Sequence, residues 1–186
     1  MVSRNYYRQT WCKPIKNCCS LGIWANFIHY EREGSQAPSF SCDAYFPGQS
    51  PDVQSFNLDD TKGQITVLAF YPADFTPVCT KEMCDFSDNL STFDGLNAKV
   101  IGISTDTIDT HKKFAAKYNI KFPLVADTDG KVGKLYGVSG PLFLKTHRRA
   151  IFVIGKEGEV LFEKTEAVSL FRTEASEVAK VIEKHQ

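Results

Sequence analysis

From residue 35 onward, apolar side chains fall into short runs with two distinct periods. Residues 65–71, ITVLAFY, form a near-continuous apolar, β-branched and aromatic run, the pattern of a strand buried on both faces. Residues 99–104 read as a second buried strand and 122–125 as a short third one. Between the first two, Cys79, Met83, Phe86, Leu90 and Phe93 recur at steps of four and three, one apolar stripe of a helix. A helix around 109–118 gathers Phe114, Ala115 and Tyr118, and a shorter one covers 130–136. Residues 150–154 and 159–162 flank Lys156, Glu157 and Gly158 and predict an antiparallel hairpin. A last helix near 173–184 brings Ala175, Val178 and Ile182 together. Ahead of all these, residues 37–40 read as an extended lead-in, and Pro47-Gly48 and Ser50-Pro51 as turns. Strands alternating with helices, closed by a hairpin and a helix, imply an α/β fold: a central mixed β-sheet flanked by helices on both faces.

A chain of 186 residues suffices for one well-cored domain and is short for two. Residues 1–34 lack periodicity and read as a basic N-terminal extension, possessing either a targeting role or no fixed structure; the domain then covers 35–186. No apolar run approaches the roughly 20 residues that a membrane-spanning helix needs. A formal net charge of zero supplies no field for nucleic acid or an anionic membrane. That zero conceals an asymmetry, because Arg4, Arg8, Lys13 and Lys16 meet no acidic residue before Glu31. A basic, acid-free head is compatible with a mitochondrial or plastid transit peptide, although it is poor in Ser. The expected location is the cytoplasm, with an organelle as the alternative if that head is a transit peptide.

The six cysteines do not point to a secreted disulfide framework, because no signal-peptide hydrophobic region opens the chain and the body has ample core. Cys12, Cys18 and Cys19 lack C-x-x-C spacing and a matching pair of histidines, so a zinc site is not expected. Cys42 reads as plain core. His29, His111, His147 and His185 show no catalytic spacing, and His111 is expected on a helix surface. Gly130 to Gly133 is not a phosphate-binding loop. Asp127, Asp129 and Gly130 echo only a fragment of a calcium loop.

Cys79 stands apart. Thr76 suits a helix N-cap and Pro77 the first helical position, which puts Cys79 at the third. There a sulfur meets unpaired backbone N–H groups and the positive end of the helix dipole. Such positions lower a thiol pKa from about 8.5 into the range of about 3.5–7.5. A thiol of pKa about 6 is about 90% ionised at pH 7 against about 3% for an unperturbed one, a thirtyfold gain in nucleophile. Cys84, five residues on, shares a more polar helix face with Asp88 and Ser91. In an intact helix residues i and i+5 are about 8.6 Å apart at Cα, whereas a disulfide needs about 7 Å or less. The two cysteines therefore bond only if that turn unwinds; the plain alternative is a pair of ordinary core cysteines.

The string Pro72-x-x-x-Thr76-x-x-Cys79 resembles the active-site signature of the peroxiredoxins, thiol peroxidases on a thioredoxin-like fold. The second cysteine of CTKEMC at 79–84 resembles the bacterioferritin-comigratory or peroxiredoxin Q branch of this AhpC/TSA superfamily. Phe75 and Val78 instead look like the typical two-cysteine members. The likeness continues through HKKFAAKY at 111–118 and FPLVADTDG at 122–130 to LYGV at 135–138, and covers about residues 36–184.

The resemblance implies that Cys79 attacks peroxide and becomes a sulfenic acid, and that Cys84 resolves it as an intramolecular disulfide. It implies that Thr76 positions the peroxide and Pro72 shields the site. Arg149 would stabilise the thiolate and the leaving oxygen, with Arg148 as fallback, and Glu82 would hold that arginine. The reductant would be thioredoxin or a similar dithiol. No cofactor or metal is implied, and a monomer is expected rather than a homodimer. Two rivals remain: a one-cysteine peroxidase with a passive Cys84, and a redox sensor that relays a disulfide to a partner protein.

Overall fold

The computed structural model describes residues 33–141, 145–166 and 172–186. The expectations for the N-terminal extension up to residue 32, including Cys12, Cys18, Cys19 and His29, lie outside the described residues. The described chain runs β1 (Ser41–Tyr45), β2 (Val53–Asn57), a 3-10 turn (Leu58–Thr61), β3 (Ile65–Phe70), α1 (Pro77–Asp88), α2 (Leu90–Gly95) and β4 (Ala98–Ser104). It continues through α3 (Ile108–Tyr118), β5 (Leu124–Ala126), α4 (Lys131–Leu135), β6 (Ala150–Ile154), β7 (Val160–Thr165) and α5 (Ala175–Glu183). The strands form a seven-stranded mixed sheet in the order β2-β1-β5-β4-β3-β6-β7. β3, β4 and β5 are parallel, while β1, β2, β6 and β7 join them antiparallel.

β3 sits near the middle of the sheet and all six of its residues are buried, as its unbroken apolar run requires. Its side chains alternate between two cores. Ile65, Val67 and Ala69, followed by Tyr71, join Cys79, Met83 and Phe86 of α1, Phe114 of α3, and Val178 and Ile182 of α5. Leu68 and Phe70 join Val132 of α4, Tyr136 and the N-terminal Phe40 and Phe56 on the opposite face. The sheet thus has helices on both faces, with the longer ones gathered on the face that holds Cys79.

Two features differ from the sequence expectation. The segment containing Cys42 is the first strand of an extra antiparallel hairpin, with Cys42 opposite Phe56, and β1 also pairs with β5. Its alternation is masked because Ser41, Asp43, Val53 and Ser55 are exposed and only one side chain of each strand is fully buried. The apolar stripe from Cys79 to Phe93 spans a helix break at Asn89. Phe86 and Phe93 stack across that break, with ring centroids 5.7 Å apart, so the stripe survives the interruption.

Phe86 is completely buried at this junction. Phe86→Ala is expected to cost about 3–5 kcal/mol, the usual range for removing a buried aromatic side chain. A chemical denaturation curve measures it; a loss within about 0.5 kcal/mol, as for a surface substitution, would show that the stack does not hold α1 and α2 together.

Candidate active site

The chain leaves β3 at Tyr71, turns through residues 72–76 and enters α1 at Pro77. Thr76 is the N-cap by backbone conformation, with ψ near 143°, and Pro77 opens the helix. The Thr76 hydroxyl does not cap the helix, however; it donates to the Ala73 carbonyl at 3.3 Å. Thr76 and Pro72 are both half-buried in this loop. Cys79 lies in the first turn, where the N–H groups have no intrahelical acceptors, and its side chain is 1% exposed.

The partner of this sulfur comes from across the fold. Arg149, immediately before β6, is buried and donates from Nη2 to Cys79 Sγ at 3.2 Å. Its Nη1 donates to Glu82 Oε2, so one guanidinium bridges the cysteine and the acid three residues after it. Helical spacing makes this possible, because i and i+3 lie on neighbouring positions of one helix face. Arg148 is exposed, so the choice between two adjacent arginines is decided by strand alternation into β6.

Burial dominates at Glu82 and lifts its carboxyl to about 7, against the pull of Arg149. Burial also works against the Arg149 charge, but Glu82 and then Cys79 outweigh it and hold the guanidinium above its ordinary range. The two directions are compatible: the arginine faces two acidic groups, and each of them shares one cation.

Cys84 is half-buried in the same helix, with its sulfur 4.0 Å from the Tyr118 carbonyl. Burial and then Asp88 raise its thiol. Cys42, Cys79 and Cys84 are all free thiols. Cys84 packs against the core cluster that contains Cys79, whereas Cys42 packs against the opposite one. Burial, then Asp127 and Asp43, push the Cys42 thiol up to about 11.

One polar residue behaves differently from the sequence expectation. His111 is not on a helix surface: it is fully buried, with Nδ1 2.8 Å from Asp74 Oδ2. The signal was present in its spacing, since 111, 114, 115 and 118 fall on one helical stripe with Phe114, Ala115 and Tyr118. His147 is buried too, 3.1 Å from Asp127 Oδ2 and edge-on to Phe70. The Asp127 oxygens accept from the backbone N–H groups of Val132 and Gly133, so this carboxylate closes the start of α4. Among the described residues, no cluster of three or more His, Cys, Asp or Glu side chains could hold a metal ion. Nor, among these, is any helix long and apolar enough to cross a membrane.

A seven-stranded mixed sheet with a helix-start cysteine facing a buried arginine is a thioredoxin-like architecture carrying a thiol site. The chain superimposes on the crystal structure of Enterococcus faecalis AhpC with a TM-score of 0.75 and 27% identity, over 83% of this chain and 92% of that one. The AhpC/TSA family profile matches residues 34–162. The chain belongs to the AhpC/TSA family, the peroxiredoxins. It is 37% identical over 149 residues to a chloroplastic peroxiredoxin Q of Triticum aestivum, covering 80% of this chain and 64% of that protein. Against chloroplastic peroxiredoxin Q of Arabidopsis thaliana it is 40% identical over 128 residues, 69% of this chain and 56% of the relative. The chain therefore spans a little under two thirds of the length of these relatives.

The raised Glu82 carboxyl gives stability a definite pH dependence. Its folded pKa of about 7 exceeds the ordinary value of 4.5, so between these values the folded state binds more protons than the unfolded one. The associated stability is complete below about pH 4.5 and is lost as pH rises through about 7. Glu82→Gln should flatten that decline by on the order of 1–3 kcal/mol, at about 1.4 kcal/mol per pKa unit. Denaturation midpoints of both proteins at pH 5 and pH 7.5 check it; parallel declines would show that Glu82 is already ionised throughout.

Proposed function

We propose that this chain is a thiol-dependent peroxidase that reduces hydrogen peroxide and organic hydroperoxides through Cys79, resolves through Cys84, and is recycled by thioredoxin or a similar dithiol. The observation that carries the reading is the contact of Arg149 with Cys79 Sγ at 3.2 Å while Glu82 holds the other arm of the guanidinium. A fixed cation beside the sulfur favours the thiolate, and it faces the place where negative charge develops on the leaving oxygen.

In the first step the Cys79 thiolate attacks one peroxide oxygen. An S–O bond forms, the O–O bond breaks, and the departing hydroxide or alkoxide takes up a proton to leave as water or alcohol. The Thr76 hydroxyl, which spends its hydrogen on Ala73, keeps oxygen lone pairs to accept a hydrogen bond from the peroxide. Pro72 shields the sulfur from water. In the second step the Cys84 thiol attacks the sulfenic acid, forming the S–S bond and releasing water. A dithiol then reduces this disulfide by exchange and is itself oxidised.

The resolving step requires a change of shape. Cys79 and Cys84 both lie within α1, where helical geometry holds their Cα atoms about 1.5 Å or more beyond bonding range, so the first turns must unwind. Cys84 is favoured over Cys42 because it shares a face of the sheet with Cys79. For location, the relatives named chloroplastic and the basic, acid-free head together favour an organelle over the cytoplasm.

Titrating the reduced protein with one equivalent of hydrogen peroxide and mapping disulfides by mass spectrometry tests the cycle. The expected products are a Cys79–Cys84 bond in the native chain and a Cys79 sulfenic acid in Cys84→Ser. A Cys79 bond to any other cysteine overturns the resolving assignment, and an unreacted Cys79 overturns the peroxidase.

A further inference from the structure

The chemistry above leaves unused a buried polar cluster centred on Asp74, in the middle of the loop that joins β3 to α1. Oδ1 of Asp74 accepts from the Tyr71 hydroxyl at 2.8 Å, and Oδ2 bonds His111 Nδ1, also at 2.8 Å. The backbone N–H of Asp74 donates to Asp106 Oδ2 at 2.8 Å, an oxygen that accepts from Ser104 as well. Burial and the facing Asp74 push the Tyr71 phenol well above its usual value, so it remains a donor.

His111 completes the arrangement. Its Nε2 lies 3.3 Å from the Val125 carbonyl, which only accepts, so that nitrogen carries a hydrogen. The bond between Nδ1 and Asp74 then contains one more proton, on the ring or on the carboxyl, and either placement leaves the pair neutral overall. A neutral pair is tolerated in a dry core where a lone carboxylate is not. The next residue, Phe75, has φ of 61°, a left-handed conformation that a bulky side chain rarely adopts. Its ring packs on Phe114 and Tyr118 of α3 at centroid distances of 5.3 and 6.1 Å. Two consecutive loop residues are therefore fastened to α3, directly ahead of Thr76.

We propose that Asp74 and His111 are positioning residues for the peroxide step: together they hold the loop of residues 72–76 in the shape that fixes Thr76 relative to Cys79. The proposal rests on the reading of Cys79 as the attacking thiol. A misplacement of about 1 Å in a reacting group costs about a hundredfold in rate. Loosening the loop therefore slows peroxide reduction, whereas alkylation of the same sulfur by iodoacetamide needs no peroxide-aligning hydroxyl.

The test compares second-order rates of Cys79 with hydrogen peroxide and with iodoacetamide in the full chain. His111→Leu should lower the peroxide rate by about ten- to a hundredfold while alkylation changes by less than about threefold. His111→Gln, whose amide N–H restores a donor to Asp74, should recover most of the loss. Asp106→Ala, at a half-buried position, removes the anchor of the Asp74 backbone along with the acceptor of the Ser104 hydroxyl, leaves the Asp74–His111 bond in place, and should give a smaller loss of the same selective kind. Equal falls in both rates, or an unchanged peroxide rate, overturn the proposal. If His111→Leu does not fold, Asp106→Ala decides by the same criterion. A wild-type protein with no preference for peroxide over alkylation, relative to a free thiol, would overturn the functional reading itself and this proposal with it.

Discussion

One buried cation organises this molecule. Arg149 has 2% of its surface exposed, and a guanidinium in such a place is tolerable only if anionic or strongly accepting groups meet it. Glu82 and Cys79 supply those groups, and both come from the first turns of α1. The bridge therefore ties the leading end of β6 to the leading end of α1, with Arg149 and Cys79 lying 70 positions apart in the chain. It also sets a constraint: neither acidic group can leave without changing what the other experiences. The proposed unwinding of α1 acts on the very turns that carry both.

Around this bridge the fold is arranged in two directions. The central strands β3 and β6 alternate their side chains between two cores, which places Cys79 and Cys84 against one cluster and Cys42 against the other. That separation is a barrier that no side-chain motion crosses, and it bears on which thiol can meet an oxidised Cys79. Along the sheet, the loop after β3 is tied down by polar contacts to α3 and to the β4–α3 connection. A second buried pair, His147 with Asp127, sits just ahead of Arg149 and joins the approach to β6 to the start of α4. Each side of the thiol site is thus supported by one buried His–Asp contact, on opposite faces of the sheet.

The sequence determined a large part of this on its own. The unbroken apolar run fixes β3 as a central strand, because only a strand covered on both faces can bury six consecutive side chains. Thr76 and Pro77 fix the start of α1, and with it the position of Cys79 among unpaired N–H groups. The five-residue spacing to Cys84 follows from helix geometry and already implies that any bond between them requires unwinding. These are local effects, in which neighbours along the chain supply the physics.

What only the tertiary structure decided is where distant polar groups meet. Two arginines stand side by side at 148 and 149, and strand alternation set by the packing of β6 buries one and exposes the other. Polarity alone puts His111 on the helix surface, whereas its place in the stripe of Phe114 and Ala115 puts it inside; its partner, Asp74, lies 37 positions away. The β1–β2 hairpin leaves little trace in the sequence, because its strands bury so few side chains that their alternation hardly registers. Burial of a charged or polar group becomes favourable only when its partner is brought to it, and that partner's position is a property of the folded chain.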